Sequence, residues 1–458
     1  MFTEVMRWWL RCVSILGIFP LITNCFQTQY NGDQILQLIP ADSNHVEFLK
    51  QLAEEGQVDL WRPQSSEGIY PGVEVDVRIP ASAVGEVRSE LKKRALQHKV
   101  LAENIQDLLD GQFRSNNKLP RSIRGHSYTK YHPMAEIYSW MEQIKENYKH
   151  LVSKHLLGST YQNRPMYYLK ISRQSDKPKK IIWMDCGIHA REWIAPAFCQ
   201  WFVKEVLETY TADPKTDRFF ENIDFYVLPV LNIDGYIYSW TKERLWRKSM
   251  SPCFNTTCFG TDLNRNFDAQ WCSIGASRNC CSNIYCGSAP ESEPETRAVA
   301  DFLRRHRSDI LCFLTIHSYS QLILTPYGYT NSTVSNHEEM MRVGRKAATA
   351  LMQVHGTKYK VGPSSWILYY SSGSSRDWAA DLGFKFSYTF ELRDNGTYKF
   401  LLPEDQIQPC CEETMAAVTT IIEHTHEKHF QNSTPGVVAL WLYVLSSCLL
   451  NVYFINLS

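Results

Sequence analysis

His189 and Glu192 stand three residues apart in Asp185-Cys186-Gly187-Ile188-His189-Ala190-Arg191-Glu192-Trp193, just after the apolar run Ile181-Ile182-Trp183-Met184. That context is the exit of a buried strand, and an imidazole and a carboxylate leaving it on one side can share a cation. A catalytic metal site needs a third protein ligand and an open fourth position. His317, which ends Leu311-Cys312-Phe313-Leu314-Thr315-Ile316, is the candidate for that ligand. Two imidazoles and one carboxylate suit Zn2+, which brings the pKa of a bound water down to about 7. The proton then needs an acceptor. Glu391, in Phe390-Glu391-Leu392-Arg393-Asp394, is a carboxylate at another strand exit with apolar residues behind it, and Arg393 is its competing partner.

These groups need a scaffold that gathers strand ends. From Tyr128 onward, strand patterns at residues 165–171, 180–185, 225–231, 310–316 and 384–390 alternate with helical patterns at 134–148, 193–210, 295–305, 337–355 and 411–426, while 235–247 reads as a turn or helix. The succession predicts an α/β fold with a mixed, largely parallel central sheet flanked by helices. His189, Asn232, His317 and Glu391 each follow a predicted strand, and ligands of such sheets bind at the carboxyl ends of strands. Ahead of it, strands at 33–39, 57–61 and 72–79 with helices at 46–54 and 84–109 predict a small α+β open sandwich. Its basic end, Lys118-Leu119-Pro120-Arg121-Ser122-Ile123-Arg124, suits a trypsin-like cut after Arg124.

The chain has 458 residues, with Lys+Arg and Asp+Glu both at 48, so the formal charge is zero and nothing points to nucleic acid. Arg7 and Arg11 precede an apolar stretch at 13–22, the pattern of a secretory signal peptide over residues 1–25. Residues 437–457 are almost wholly apolar and follow Asn432, Ser433 and Thr434. With no basic tail after them, they read as a GPI-attachment signal acting at Asn432 or Ser433, with a retained spanning helix as the alternative. The expected location is the extracellular face of the plasma membrane. Fourteen cysteines on a secretory route imply disulfides, and six of them fall between Cys253 and Cys286. Asn255, Asn331 and Asn395 begin glycosylation triplets.

The segments DCGIHAREW, RLWRK, DLNRNFD, TIHSYSQL, YYSSGSSRDW and FELRD, in this order, resemble the zinc metallocarboxypeptidases of the carboxypeptidase A/B family. The resemblance implies a catalytic domain over residues 125–430 and, over 26–124, a prosegment that covers the crevice until cleaved; the apolar tail makes 431–458 the anchor signal. It implies that His189, Glu192 and His317 hold zinc, that Glu391 is the general base and that Arg247 stabilises charge on the scissile carbonyl oxygen. Arg265, with Asn264 beside it, would bind the terminal carboxylate of a peptide. Asp262 and Asp268 are competing partners for that arginine. By the same resemblance Tyr369 closes over the terminus, with Tyr370 as the neighbouring register, and Arg191 and Arg244 meet the substrate further upstream. The implied disulfides are Cys258–Cys281, Cys272–Cys286 and Cys186–Cys199. Cys253 and Cys280 are left near each other, and of the adjacent Cys410 and Cys411 at least one is free.

Arg376 takes the position that resembles the base of the pocket for the terminal side chain, where relatives carry an apolar residue or Asp. A guanidinium there attracts Glu or Asp ends with about 4 kcal/mol at 4 Å and an effective dielectric near 20, before desolvation. Pairing with Asp377 is the alternative. The expected partners are thus peptide C-termini with an acidic last residue, an activating trypsin-like protease and a membrane. An A-like enzyme preferring apolar ends and an inactive peptide-binding relative are the rival readings.

Overall fold

The computed structural model describes residues 28–113, 125–208, 219–254 and 256–431. The expected signal peptide, the cut at Arg124, the triplet at Asn255, the attachment residues Asn432 and Ser433 and the apolar tail lie outside the described residues. Among those described, no helix is long and apolar enough to cross a membrane.

The larger unit is built on an eight-stranded sheet in the order β11-β10-β12-β9-β7-β8-β6-β5. Its middle is made by β7 (Lys180–Cys186), β8 (Ile223–Leu228), β9 (Ile310–Ser318) and β12 (Phe386–Leu392), all mutually parallel. β7 and β9 carry long apolar runs because both faces are covered, and in all four strands residues of either parity are buried. Of the helices, α5 (Ile194–Glu208), α8 (His337–His355) and α11 (Ile407–His426) pack together around one side. The parallel strands all end at one edge, and that edge carries the site.

The sheet is mixed. β6 (Pro165–Ile171) pairs antiparallel with β8 and with β5 (Val152–Ser159), and β10 (Leu322–Thr325) antiparallel with β12. β10 and β11 (Lys360–Pro363) run parallel. Strands β5, β10 and β11 carry no strong sequence pattern. They are outer or short strands whose place is set by the neighbour they pair with.

The amino-terminal unit is a four-stranded antiparallel sheet in the order β2-β3-β1-β4. It comprises β1 (Gln34–Ile39), α1 (Ser43–Glu54), β2 (Asp59–Arg62), β3 (Val75–Ile79), α2 (Ala81–Lys93), β4 (Gln97–Ala102) and α3 (Ile105–Gln112). One correction concerns the single helix expected over 84–109. The chain leaves α2 at Ala95, with φ +51°, forms β4 against β1 and re-enters a helix capped by the Asn104 side chain. Pairing with β1 outweighs the helical propensity of this polar stretch.

Strand alternation splits the unit's apolar residues between two cores. Leu36 and Leu38 join Phe48, Leu49 and Leu52 under the helices, whereas Ile35 turns the other way. There Tyr30, Ile35, Trp61, Ile105 and Leu109 form a shared core with Leu245, Tyr319, Phe400 and Leu401 of the larger unit. Trp61 meets Phe400 edge-on at 5.0 Å and is 2% exposed, so it is a main apolar anchor between the units. Replacing Trp61 by Ala removes contacts worth about 3–5 kcal/mol. Hydrogen exchange in β2 should therefore accelerate by orders of magnitude while β7 and β9 stay protected; unchanged protection of β2 would show that the seat lies elsewhere.

Candidate active site

The register of the central strands assembles the site. Glu391 on β12 pairs directly with His317 on β9, and Cys186 at the end of β7 pairs with Ile316. The chain leaves β7 through Gly187, at φ +67°, where a Cβ would come within 3.1 Å of Pro196. It then presents His189 and Glu192 before α5 begins. The Cys186–Cys199 disulfide closes this short loop, a restraint worth about 3 kcal/mol in the chain-entropy account. Asn232, after β8, was a candidate for the crevice, but its side chain is committed to the backbone. Its Nδ2 donates to the carbonyls of Ile188 at 3.1 Å and Lys248 at 3.0 Å, and its Oδ1 accepts from Gly235 N. It ties the His189 loop to the Arg247 segment.

His189, Glu192 and His317 are all buried, and their ligand atoms lie within 4.8 Å of one another. His189 Nδ1 is 2.7 Å from Glu192 Oε1 and 3.1 Å from His317 Nδ1, which is 3.2 Å from Glu192 Oε2. The outward nitrogens have acceptors. His189 Nε2 meets Asp262 Oδ1 at 3.2 Å, and His317 Nε2 meets the Thr315 hydroxyl at 3.3 Å, which itself donates to Asp185 Oδ1 at 2.7 Å. Acceptors on both Nε2 atoms select the tautomers that turn two Nδ1 lone pairs inward beside a carboxylate, an arrangement that repels unless a cation lies between them. This nitrogen, nitrogen and oxygen set fits zinc.

Glu391 is partly buried beside this centre. Burial and then the charge of Glu192 push its carboxyl well above the usual range, against His189, Arg247 and Arg376. A carboxyl so raised is a stronger proton acceptor than a solvated one.

Asp262 holds the cations. Its Oδ2 accepts from Arg247 Nε at 3.0 Å and Nη2 at 2.8 Å, and Arg265 Nη1 lies 3.9 Å away. Burial pushes its carboxyl up, yet Arg247, Arg265 and His189 overcome this and hold it well below the usual range. Arg247 Nη1 has no hydrogen-bond partner among the described residues. Arg265 is fixed by Gly275 O at 2.8 Å and Asn264 O at 2.9 Å, and Asn264 Oδ1 accepts from Ser375 N. Tyr369 lines one small cavity with Gln64, Ser318 and Glu391, and burial raises its phenol to about 12, with Arg265 and Arg247 acting against it. Tyr370 is exposed.

Arg376 lies in the first turn of α10 (Ser375–Asp381), which Ser374 caps. It is 3% exposed; its Nε donates to Asp377 Oδ1 at 2.9 Å, and its Nη1 lies 3.4 Å from Thr389 Oγ1. Nη2 is also 2.9 Å from Asp377 but lacks the angle for a second hydrogen bond. The pairing with Asp377 is thus present, but the guanidinium stays inside. It sits where a Cβ on Gly328 would come within 2.8 Å of it.

Arg191 packs over Phe400 at 4.1 Å with Nε and Nη2 free of hydrogen bonds. Arg244 donates to Gln112 Oε1 of the amino-terminal unit, to Arg191 O and to Phe400 O, and its guanidinium stacks on Trp193 at 3.6 Å.

The amino-terminal unit enters the same crevice. Gln64 Oε1 accepts from Arg247 Nη2 at 2.8 Å and Arg265 Nη2 at 3.2 Å, and Asp59 lies 3.5 Å from Arg191. Neither Gln64 nor the hub role of Asp262 carried a signal, beyond an acidic residue within a motif rich in cationic and amide side chains. Beside the site, Cys258–Cys281, Cys272–Cys286 and Cys253–Cys280 staple a loop, the last pair being the one left open by sequence. Cys312, Cys410 and Cys411 are free and buried.

The profile of the zinc carboxypeptidase family matches residues 137–417, and that of the carboxypeptidase activation peptide matches 36–112. Carboxypeptidase O of Homo sapiens is 60% identical over 352 residues, covering 76% of this chain and 93% of the relative. Carboxypeptidase B of Bos taurus is 47% identical over 399 residues, covering 87% and 94%. The crystal structure of thrombin activatable fibrinolysis inhibitor (TAFI) superposes with a TM-score of 0.81 at 44% identity, covering 86% of this chain and 99% of that one.

The hub makes a prediction independent of turnover. Asp262→Asn keeps the shape but removes the charge that orients His189, so metal affinity should fall about 10- to 100-fold. Competition with a chelator measures it, and an unchanged affinity would mean that His189 is held by its packing alone.

Proposed function

The chain belongs to the zinc carboxypeptidase family, and on that premise we propose that it removes the last residue of peptides, preferring acidic ends read by Arg376. The enzyme is a metallocarboxypeptidase with one Zn2+ per catalytic domain, for which His189, Glu192 and His317 are the protein ligands we propose. When bound, zinc polarises a carbonyl and makes water ionisable near neutral pH.

The chain's own groups divide the remaining work. Glu391 takes the proton of the attacking water and returns it to the departing amine. Arg247, kept in place by Asp262, offers its free Nη1 to the scissile carbonyl oxygen as negative charge develops there. Arg265 and Asn264 receive the terminal carboxylate, and Tyr369 covers it. The observation that carries this reading is the meeting of Glu391 and Arg247 with the three ligands at one edge of the sheet.

The acidic preference is supported by a buried guanidinium beside Thr389, which shares a face of β12 with Glu391. A specific observation also favours the rival apolar preference. Asp377 already neutralises part of the charge of Arg376, so the net attraction is well below the unpaired Coulomb value. We further propose that the amino-terminal unit blocks the crevice through Gln64 until a trypsin-like protease cuts after Arg124. The four disulfides among the described residues support an oxidising, secretory route. Asn331 and Asn395 are exposed, as glycosylation requires. A GPI anchor at Asn432 or Ser433 on the extracellular face remains our reading of the tail; release from cells by a phosphatidylinositol-specific phospholipase tests it.

Two outcomes check the chemistry. A chelator should abolish hydrolysis of a peptide ending in Glu, and Glu391→Gln should lower kcat by about 10²–10⁴-fold with zinc still bound. Stoichiometric zinc without turnover by the unaltered enzyme would favour a peptide-binding relative. For specificity, Arg376→Asp should reverse the order of kcat/KM from Glu ends to Lys and Arg ends; an unchanged order would remove Arg376 from the pocket.

A further inference from the structure

One ion pair between the two units is not used by the reaction. Asp76 stands in β3 between Val75 and Val77, which enter the core under α1 and α2, so alternation turns Asp76 towards the larger unit. There its Oδ2 accepts from Lys399 Nζ at 2.7 Å and from the Tyr319 hydroxyl at 3.0 Å, with Arg62 at 3.5 Å. Asp76 is fully buried, and Lys399 is 1% exposed. Among the described residues, Asp76 is the only carboxylate in ion-pair contact with Lys399. The nearby Asp394 commits its oxygens to the backbone N–H groups of Gly396, Tyr398 and Lys399.

The backbone of Lys399 marks it further. Its φ is +54°, a region that favours glycine, and a lysine persists there only where its surroundings hold it. The ammonium lies 3.4 Å from the Tyr319 hydroxyl, and the Tyr319 ring meets Phe400 edge-on at 5.0 Å. Tyr319 and Phe400 line one small cavity with Gln64, Tyr369 and Glu391, so this cation stands directly behind the crevice wall. Residues 61–64 run along that crevice, with Trp61 on Phe400 and Gln64 at Arg247 and Arg265. Lys399 therefore marks the end remote from Arg265, where residues preceding the scissile bond would lie.

We propose that Lys399, with the Tyr319 hydroxyl, receives an acidic side chain upstream of the scissile bond, and that Asp76 occupies this subsite while the amino-terminal unit is seated. When Asp76 leaves, a buried-side cation loses its anion. A substrate carboxylate restores the pair, and an amide of the same shape does not. The proposal rests on the carboxypeptidase reading.

The test uses the zinc-loaded full chain, cut with trypsin and freed of its amino-terminal unit. Peptides ending in Glu carry either Glu or Gln at one of the three positions before the last residue, each position in turn. At one position Glu should raise kcat/KM roughly tenfold over Gln. Lys399→Gln should bring that ratio to about one, and so should Lys399→Gly, whose backbone suits φ +54° and whose Tm should not fall. Equal rates for Glu and Gln at all three positions, or a ratio that survives in both variants, would overturn the subsite. Failure of the unaltered enzyme to cleave any of the peptides would instead overturn the reading beneath it.

Discussion

A buried carboxylate cannot stay charged without partners, and Asp262 has no water to turn to. Its two oxygens are met by an imidazole, a backbone amide and the guanidinium of Arg247, with a second guanidinium just outside contact. The groups that satisfy it are the ones assigned to the metal, the scissile carbonyl and the terminal carboxylate. One desolvated anion thus sets the relative positions of three functional side chains drawn from separate segments, the His189 loop, the Arg247 turn and the Arg265 turn. Removing it would leave two buried cations facing each other, which is why the three segments can be expected to loosen together.

The sheet supplies what Asp262 cannot. His317 and Glu391 come from neighbouring parallel strands in direct register, so their separation is set by strand spacing and by no flexible loop. His189 and Glu192 lie on a loop, and that loop is short, disulfide-closed and hydrogen-bonded to Asn232. Rigid elements thus hold the centre, and the irregular segments that carry the arginines are tied to it through Asn232 and Asp262.

What could be read from sequence follows from these two kinds of restraint. Central strands β7, β8, β9 and β12 are legible because burial on both faces demands apolar, β-branched or aromatic residues along them, and the strand-exit positions of His189, His317 and Glu391 follow from them. β4 was not legible: Gln97-His98-Lys99 is polar, and only its pairing with β1 makes it a strand. The partners of Arg244 show the same limit at the site: Gln112, Arg191 and Phe400, which take its donors while the amino-terminal unit is seated, meet only in three dimensions. Asp262 is legible as a partner of Arg265, whereas its contacts with His189 and Arg247 are not, for the same reason.

The two ends of the crevice are covered by different chemistry. At Arg247 and Arg265 the amino-terminal unit offers the neutral amide of Gln64, one oxygen shared by two guanidinium groups. At Lys399 it offers the full charge of Asp76 in a buried site. A neutral acceptor satisfies the arginines without competing strongly with a carboxylate, because a carboxylate adds ion–ion attraction and bidentate geometry that one shared amide oxygen lacks. Much of the hold of the unit then comes from the shared core around Trp61 and Phe400 and from the Asp76 pair, neither of which takes a hydrogen bond from Arg247 or Arg265. Such a division lets the cover be firm while the groups nearest the chemistry remain only lightly engaged, so a peptide carboxylate would displace Gln64 from Arg265 more readily than it would lift the unit from its seat.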